Sequence, residues 1–170
     1  MPTHDRLTRV RGALGGLLAG VAGTLLVIMT LLVLYQVFTR YVLGTPAAFT
    51  EELVRYALIW TALLSAAYAF LHRKHMALVV LREKFPPAVR RGLIIGADVL
   101  VLAFAVVVLV IGGAALAFSA RDNFSALLGI SHGLYYAIGP IAGLAITFAQ
   151  VLNIWEDLTA EVSFEAEGTD

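Results

Sequence analysis

Arg40, Glu51, Glu52 and Arg55 crowd the first break in a long apolar sequence, and their types and spacing suit ion pairing better than bond-making. Glu51 and Arg55 are four apart with the acid first, the favourable order for a pair on one helix face. Arg40 is placed to answer Glu52 across the hairpin, with Tyr41 beside it. A solvated pair of this kind stabilises by under about 1 kcal/mol. At the edge of hydrocarbon, however, an unpaired charge is costly, so the expectation is a paired structural cluster. Asp98 is the one carboxylate inside an apolar segment, seven residues past Arg91 and roughly 10 Å into a helix at its rise per residue. Such a residue is a functional candidate by default. Pairing with Arg91 or contact with a partner helix is the preferred reading over ion coupling. There is no cysteine, which excludes disulfides, thiolate metal sites and a cysteine nucleophile.

The elements that hold these residues are membrane spans. Residues 12–39, 56–71, 99–120 and 133–155 carry no formal charge. Crossing about 30 Å of hydrocarbon takes about 20 mostly apolar residues. Three stretches qualify outright, and the second must draw its charged shoulders into the helix. Hydrophobic residues make up 60% of the chain and charged ones 14%, with mean hydropathy +0.87, which excludes a separate soluble catalytic domain. The expected fold is all-α and integral to the membrane, a single domain over 1–170. Its four transmembrane helices are placed at about 12–39, 53–71, 92–118 and 133–155, with a cytoplasmic loop at 72–91 and an acidic tail at 156–170.

Net charge is zero, but its distribution gives an orientation. Arg6, Arg9 and Arg11 precede the first span, and Arg73, Lys74, Arg82, Lys84, Arg90 and Arg91 fill the middle loop, nine of the twelve Lys and Arg. The positive-inside rule then puts both termini and this loop in the cytoplasm. The acidic tail contributes little to orientation. A cleaved signal peptide fits poorly, because the first apolar run exceeds 25 residues. The loop's apolar run Met76–Leu81, too short to span, suits a short interfacial helix ended by Pro86 and Pro87. Anionic lipid headgroups account for its cations. Neither nucleic acid nor a cofactor is expected.

Within the spans, Gly12, Gly16 and Gly20 recur every fourth residue, a groove for close helix approach. Gly92 with Gly96 and Gly139 with Gly143 repeat the spacing more weakly. Pro140 removes a backbone donor and predicts a kink that frees the Tyr136 carbonyl. Gly44 ends the first helix, and Thr45 with Pro46, or Thr50 with Glu51, is expected to cap the second. Most Tyr and Trp fall near span ends, as an aromatic belt requires. Trp60 lies deeper and faces either a partner or lipid.

Phe38, Arg40, Tyr41, Glu51, Glu52, Leu53, Arg55, Trp60 and His75 stand in an order and spacing that resembles the small membrane subunit, DctQ type, of tripartite ATP-independent periplasmic (TRAP) transporters. That pattern is an apolar helix ending in F-x-R-Y, a linker, E-E-L-x-R, a tryptophan, then a histidine opening a basic loop. The likeness runs through all four helices, including SALLGISHGLYYAIGPIAG. Phe49, Ser65, Val79 and Ser131 depart from the usual tryptophan, glycine, aspartate and proline, which blurs any subfamily or substrate. The resemblance implies a non-enzymatic scaffold in the bacterial inner membrane, supporting a large membrane permease subunit in sodium-coupled uptake of an organic acid or similar polar solute. A periplasmic solute-binding protein would deliver the solute. The residues agree with this, since midplane solute sites use broken helices and polar groups at depth, and the charged residues here avoid that depth.

Two other classes compete. A haem-carrying membrane anchor of a respiratory oxidoreductase needs histidines from facing helices at matching depth. His72 and His75 lie at the inner end and His132 at the outer end, so only the first two could serve one haem. A self-sufficient homodimeric drug transporter would want a deep acid in a polar cavity. Neither pattern is met.

Overall fold

The computed structural model describes residues 2–45, 47–72 and 87–167 and, among these, is helical apart from connections and one isolated bridge between Phe124 and Ser131. Helix α1 runs Pro2–Tyr41 and α2 runs Ala48–Leu71. Helix α3, Pro87–Phe104, continues into a π-helical stretch, Ala105–Gly112, and then into α4, Gly113–Ser119. A short α5, His132–Tyr136, leads into α6, Ile138–Glu167. Among the described residues four segments are long and apolar enough to cross a membrane: Arg9–Tyr41, Ala48–Leu71, Ile95–Ser119 and His132–Trp155. The chain is therefore an all-α membrane protein with four spanning helices. The expected interfacial helix and His75 lie outside the described residues.

The fourth span is the central post. Within the chain 44% of its apolar window is buried, against 11% for the first span. Helix α6 packs on α2, on α3 and on the π segment, whereas α1 packs mainly along α2. Leu64, Ala67 and Leu71 on α2 cluster with Ile146 and Ala149 on α6, spacings of three and four that keep each set on one face. Helices in lipid gain little from hiding apolar surface from one another, so close van der Waals packing through small residues must hold them. That packing is tightest where Gly113 meets Pro140 and Gly139. There a Cβ added at Gly113 would stand 3.0 Å from the Pro140 ring. A Cβ on Gly143 would come within 2.8 Å of Leu109.

The small-residue ridge of α1 behaves otherwise. A Cβ at Gly12, Gly16 or Gly20 would meet nothing within 4 Å. Only Gly15, on another face of the helix, makes a close approach, to His72 and Leu71. The stronger glycine spacing thus stays open within this chain, and the weaker Gly139/Gly143 repeat forms the tight crossing. Spacing identifies a ridge but not its occupant.

Helix ends also differ from expectation. The cap of α2 is Ala47 with no side-chain cap bond, and Thr50 is buried with its hydroxyl donating 2.6 Å to the Ala47 carbonyl. The threonine therefore satisfies a carbonyl instead of the orphan N–H groups. Pro87 begins α3, where its missing donor costs nothing, and this puts Arg90 and Arg91 on the helix. Before Pro140 the helix breaks at Ala137. Trp60 answers one freed carbonyl through Nε1, donating 3.2 Å to Tyr135, one residue before the carbonyl expected to be released. Trp60 thus turns into the bundle.

Candidate functional site

The outer end of α2, the start of α5 and the loop between α4 and α5 enclose a polar cavity of about 460 Å³, lined in part by Glu51, Glu52, Arg55, Tyr56, His132 and Tyr136. Starting α2 at Ala48 puts residues 51, 52, 55 and 56 within its first two and a half turns. Arg55 donates 3.5 Å to Glu51, with both side chains about two-thirds exposed. Glu52 does not pair with Arg40. It accepts a 2.6 Å hydrogen bond from the Tyr56 hydroxyl, and the Ser125 hydroxyl also reaches it. Among the described residues Arg40 forms no ion pair, and Tyr41 next to it is 79% exposed. The tyrosine one turn along α2 reaches Glu52 without spanning the hairpin, which is why the local bond wins.

The loop is fixed by its own backbone. Ser125 Oγ accepts from the amides of Leu127 and Leu128 at 3.2 and 3.1 Å, and Gly129 turns the chain with φ +63°. Ser131 caps α5 by accepting from Gly133 N at 3.1 Å while donating to the Arg121 carbonyl at 2.6 Å. His132 Nδ1 donates 3.0 Å to the Asn123 carbonyl, which leaves Nε2 for the cavity. Tyr56 and Tyr135 stack with ring centres 4.5 Å apart and form the cavity floor.

A second polar cluster lies at the other end of the bundle. Gln150 and Asn153 are 1% and 3% exposed on α6. Asn153 Nδ2 donates 3.1 Å to Gln150 Oε1 and 3.1 Å to the Phe70 carbonyl, while its Oδ1 accepts from the Arg11 guanidinium. One side chain thus ties α1, α2 and α6 together. Asp98 is buried too and is electrostatically engaged. Leu109 against Gly143 and Gly113 against Gly139 define an antiparallel register that carries Asp98 to about the level of Asn153 and Ile154. The Arg91 side chain proposed to meet it lies outside the described residues. Formal charge marks Arg11 only as an orienting cation and does not mark Gln150 or Asn153 at all. The signal was two amide side chains three apart in an otherwise apolar stretch.

Among the described residues no group of three or more His, Asp and Glu could hold a metal ion. His72 Nδ1 donates 3.1 Å to the Tyr68 carbonyl at the inner end, a helix length from His132.

Residues 29–160 match the family described as Tripartite ATP-independent periplasmic transporters, DctQ component. A Haemophilus influenzae protein named as a putative TRAP transporter small permease is 33% identical over 125 residues, which cover 73% of this chain and 76% of the relative. The sialic acid TRAP transporter small permease SiaQ of Vibrio cholerae is 27% identical over 123 residues, covering 71% and 69%. The family match takes in the outer cavity, Trp60, Asp98 and Asn153.

Proposed function

Since the chain belongs to the DctQ-component family and is a small permease subunit of a TRAP transporter, we propose that it acts as a non-enzymatic scaffold for a large permease subunit. In this reading the large subunit carries out sodium-coupled uptake of an organic acid or similar polar solute, delivered by a periplasmic binding protein. The protein lies in the bacterial inner membrane with both termini in the cytoplasm. Arg40, Tyr41, Glu51, Glu52 and Arg55 act at the outer edge in assembly, Trp60 and Asp98 in packing, and His75 at the inner loop.

One observation carries the scaffold reading. The buried amide side chains Gln150 and Asn153 are consumed by bonds to each other, to Arg11 and to the Phe70 carbonyl, so they offer a solute little. A midplane transport site needs polar groups turned into an accessible cavity. The sialic acid named for the Vibrio relative fits an acidic solute class for this chain as well.

The test is reconstitution. Alone in sodium-loaded vesicles the protein should carry out no binding-protein-dependent uptake, while coexpression with the large subunit should yield a complex that copurifies and transports. Uptake by the lone chain would overturn the scaffold reading.

A further inference from the structure

The polar outer cavity does not end at its tyrosine floor. Tyr56 and Tyr135 are also the upper wall of a second cavity of about 360 Å³. This one is apolar, running down between α1 and α2 past Ile28, Leu32 and Trp60, with Leu134 at its open rim. Trp60 is twelve residues below the start of α2 and Leu25 sixteen below the end of α1, so the groove reaches about 20 Å beneath the helix ends. That is about the depth of one leaflet, whose hydrocarbon is roughly 15 Å thick. The two cavities thus form one amphipathic cleft with its polar part at the membrane edge.

We propose that this cleft holds one phospholipid with a primary ammonium in its headgroup, phosphatidylethanolamine, from the leaflet that meets the α1–α2 connection. A helix about 10 Å wide cannot enter a space of this volume. An unbranched acyl chain can, and it would find only hydrocarbon and ring faces. The charges select the headgroup. Glu51 and Glu52 supply two carboxylates, and the Arg55 guanidinium supplies cationic donors. A phosphate suits Arg55, but a headgroup with net negative charge would also sit against both acids. An ammonium resolves that conflict, and only one that keeps its N–H groups can donate to the carboxylates in charge-assisted hydrogen bonds. Choline has the same charge and no such donor.

The experiment uses native mass spectrometry of the detergent-purified protein, titrated with phosphatidylethanolamine, phosphatidylcholine and phosphatidylglycerol of identical chains. The ethanolamine lipid should bind once per chain and about tenfold more tightly than the other two, the factor expected for hydrogen bonds to a charged group. The double variant Glu51→Gln with Glu52→Gln should bring ethanolamine and choline lipids to equal affinity without loss of the melting transition. Leu134→Trp, at the exposed rim, should reduce retention of all three. The lipid should stay bound when the chain copurifies with the large subunit. Equal binding of the three lipids by the unaltered protein, or preference surviving the double variant, would overturn the proposal. So would loss of the lipid on assembly, which would assign the groove to the partner's side chains.

Discussion

Asn153 meets more partners than any charged residue singled out in the outer hairpin, and its removal should be felt more. Asn153→Ala leaves the Phe70 carbonyl, Gln150 and Arg11 each short of a bond in a buried setting. Orphaned buried polar groups cost about 1–3 kcal/mol each, although partners found within the membrane-embedded unfolded state temper this. The expected outcome is a clear fall in the melting temperature of the lone subunit in detergent. Glu51→Ala breaks a pair that is two-thirds exposed, worth under about 1 kcal/mol, and should leave that melting temperature nearly unchanged. Equal losses from the two substitutions would mean that the inner cluster has been overvalued. This ordering reverses the emphasis that charge alone suggests. The Glu51–Arg55 pair was legible because four-residue spacing on a helix fixes which side chains meet. The Glu52 partner was not, since Arg40 and Tyr56 are both compatible with the sequence and only the helix geometry puts the tyrosine nearer. Asn153 was hidden for a different reason. An amide carries no formal charge, so a search for charged groups passes over it although its polarity stands out among apolar neighbours.

Between helices the informative contrast is among glycines. Gly143→Ala would drive a methyl to 2.8 Å from Leu109 and 2.9 Å from Val110, and Gly133→Ala would put one 2.7 Å from the Ala117 carbonyl and 2.8 Å from the Arg121 backbone. Overpacking of this kind costs typically about 1–3 kcal/mol, and backbone neighbours cannot rotate away. Both should lower thermal stability of the isolated subunit. Gly16→Ala meets nothing inside the chain and replaces a poor helix former by the best one, so it should leave the isolated subunit as stable or slightly more so. Melting curves of the three variants decide the matter, and destabilisation by Gly16→Ala alone would contradict the packing described here. The helices themselves were plain from hydropathy, because the length needed to span hydrocarbon leaves little freedom. Their interruptions were less so. Pro140 announces a break, but the eight-residue π stretch at Ala105–Gly112 has only apolar residues and glycine to announce it. It lies in the segment crossing Pro140, Gly139 and Gly143, and that tertiary contact is invisible to local pattern.

At the scale of the whole chain, α1 spans 40 residues, about 60 Å at helical rise, twice the hydrocarbon thickness of about 30 Å. It must therefore tilt or project beyond the bilayer, and packing mainly on α2 leaves it free to do so. The positive-inside rule predicts which end projects inward: nine of twelve cations lie before the first span or in the 72–91 loop, and short loops rich in Lys and Arg are generally held in the cytoplasm. The natural lack of cysteine makes this testable with single substitutions at Thr3, Ala48, Ala88, Ala126 and Thr169. Ala48 and Ala126 are both exposed, unlike the buried Ser125 that holds the outer loop, so a thiol at either should leave the fold intact. An impermeant thiol reagent applied to intact cells should label positions 48 and 126 alone, and permeabilised cells should add the other three. Labelling of position 88 in intact cells would invert the molecule. It would also move the Glu51–Arg55 cavity to the cytoplasmic leaflet, where no periplasmic protein could reach it.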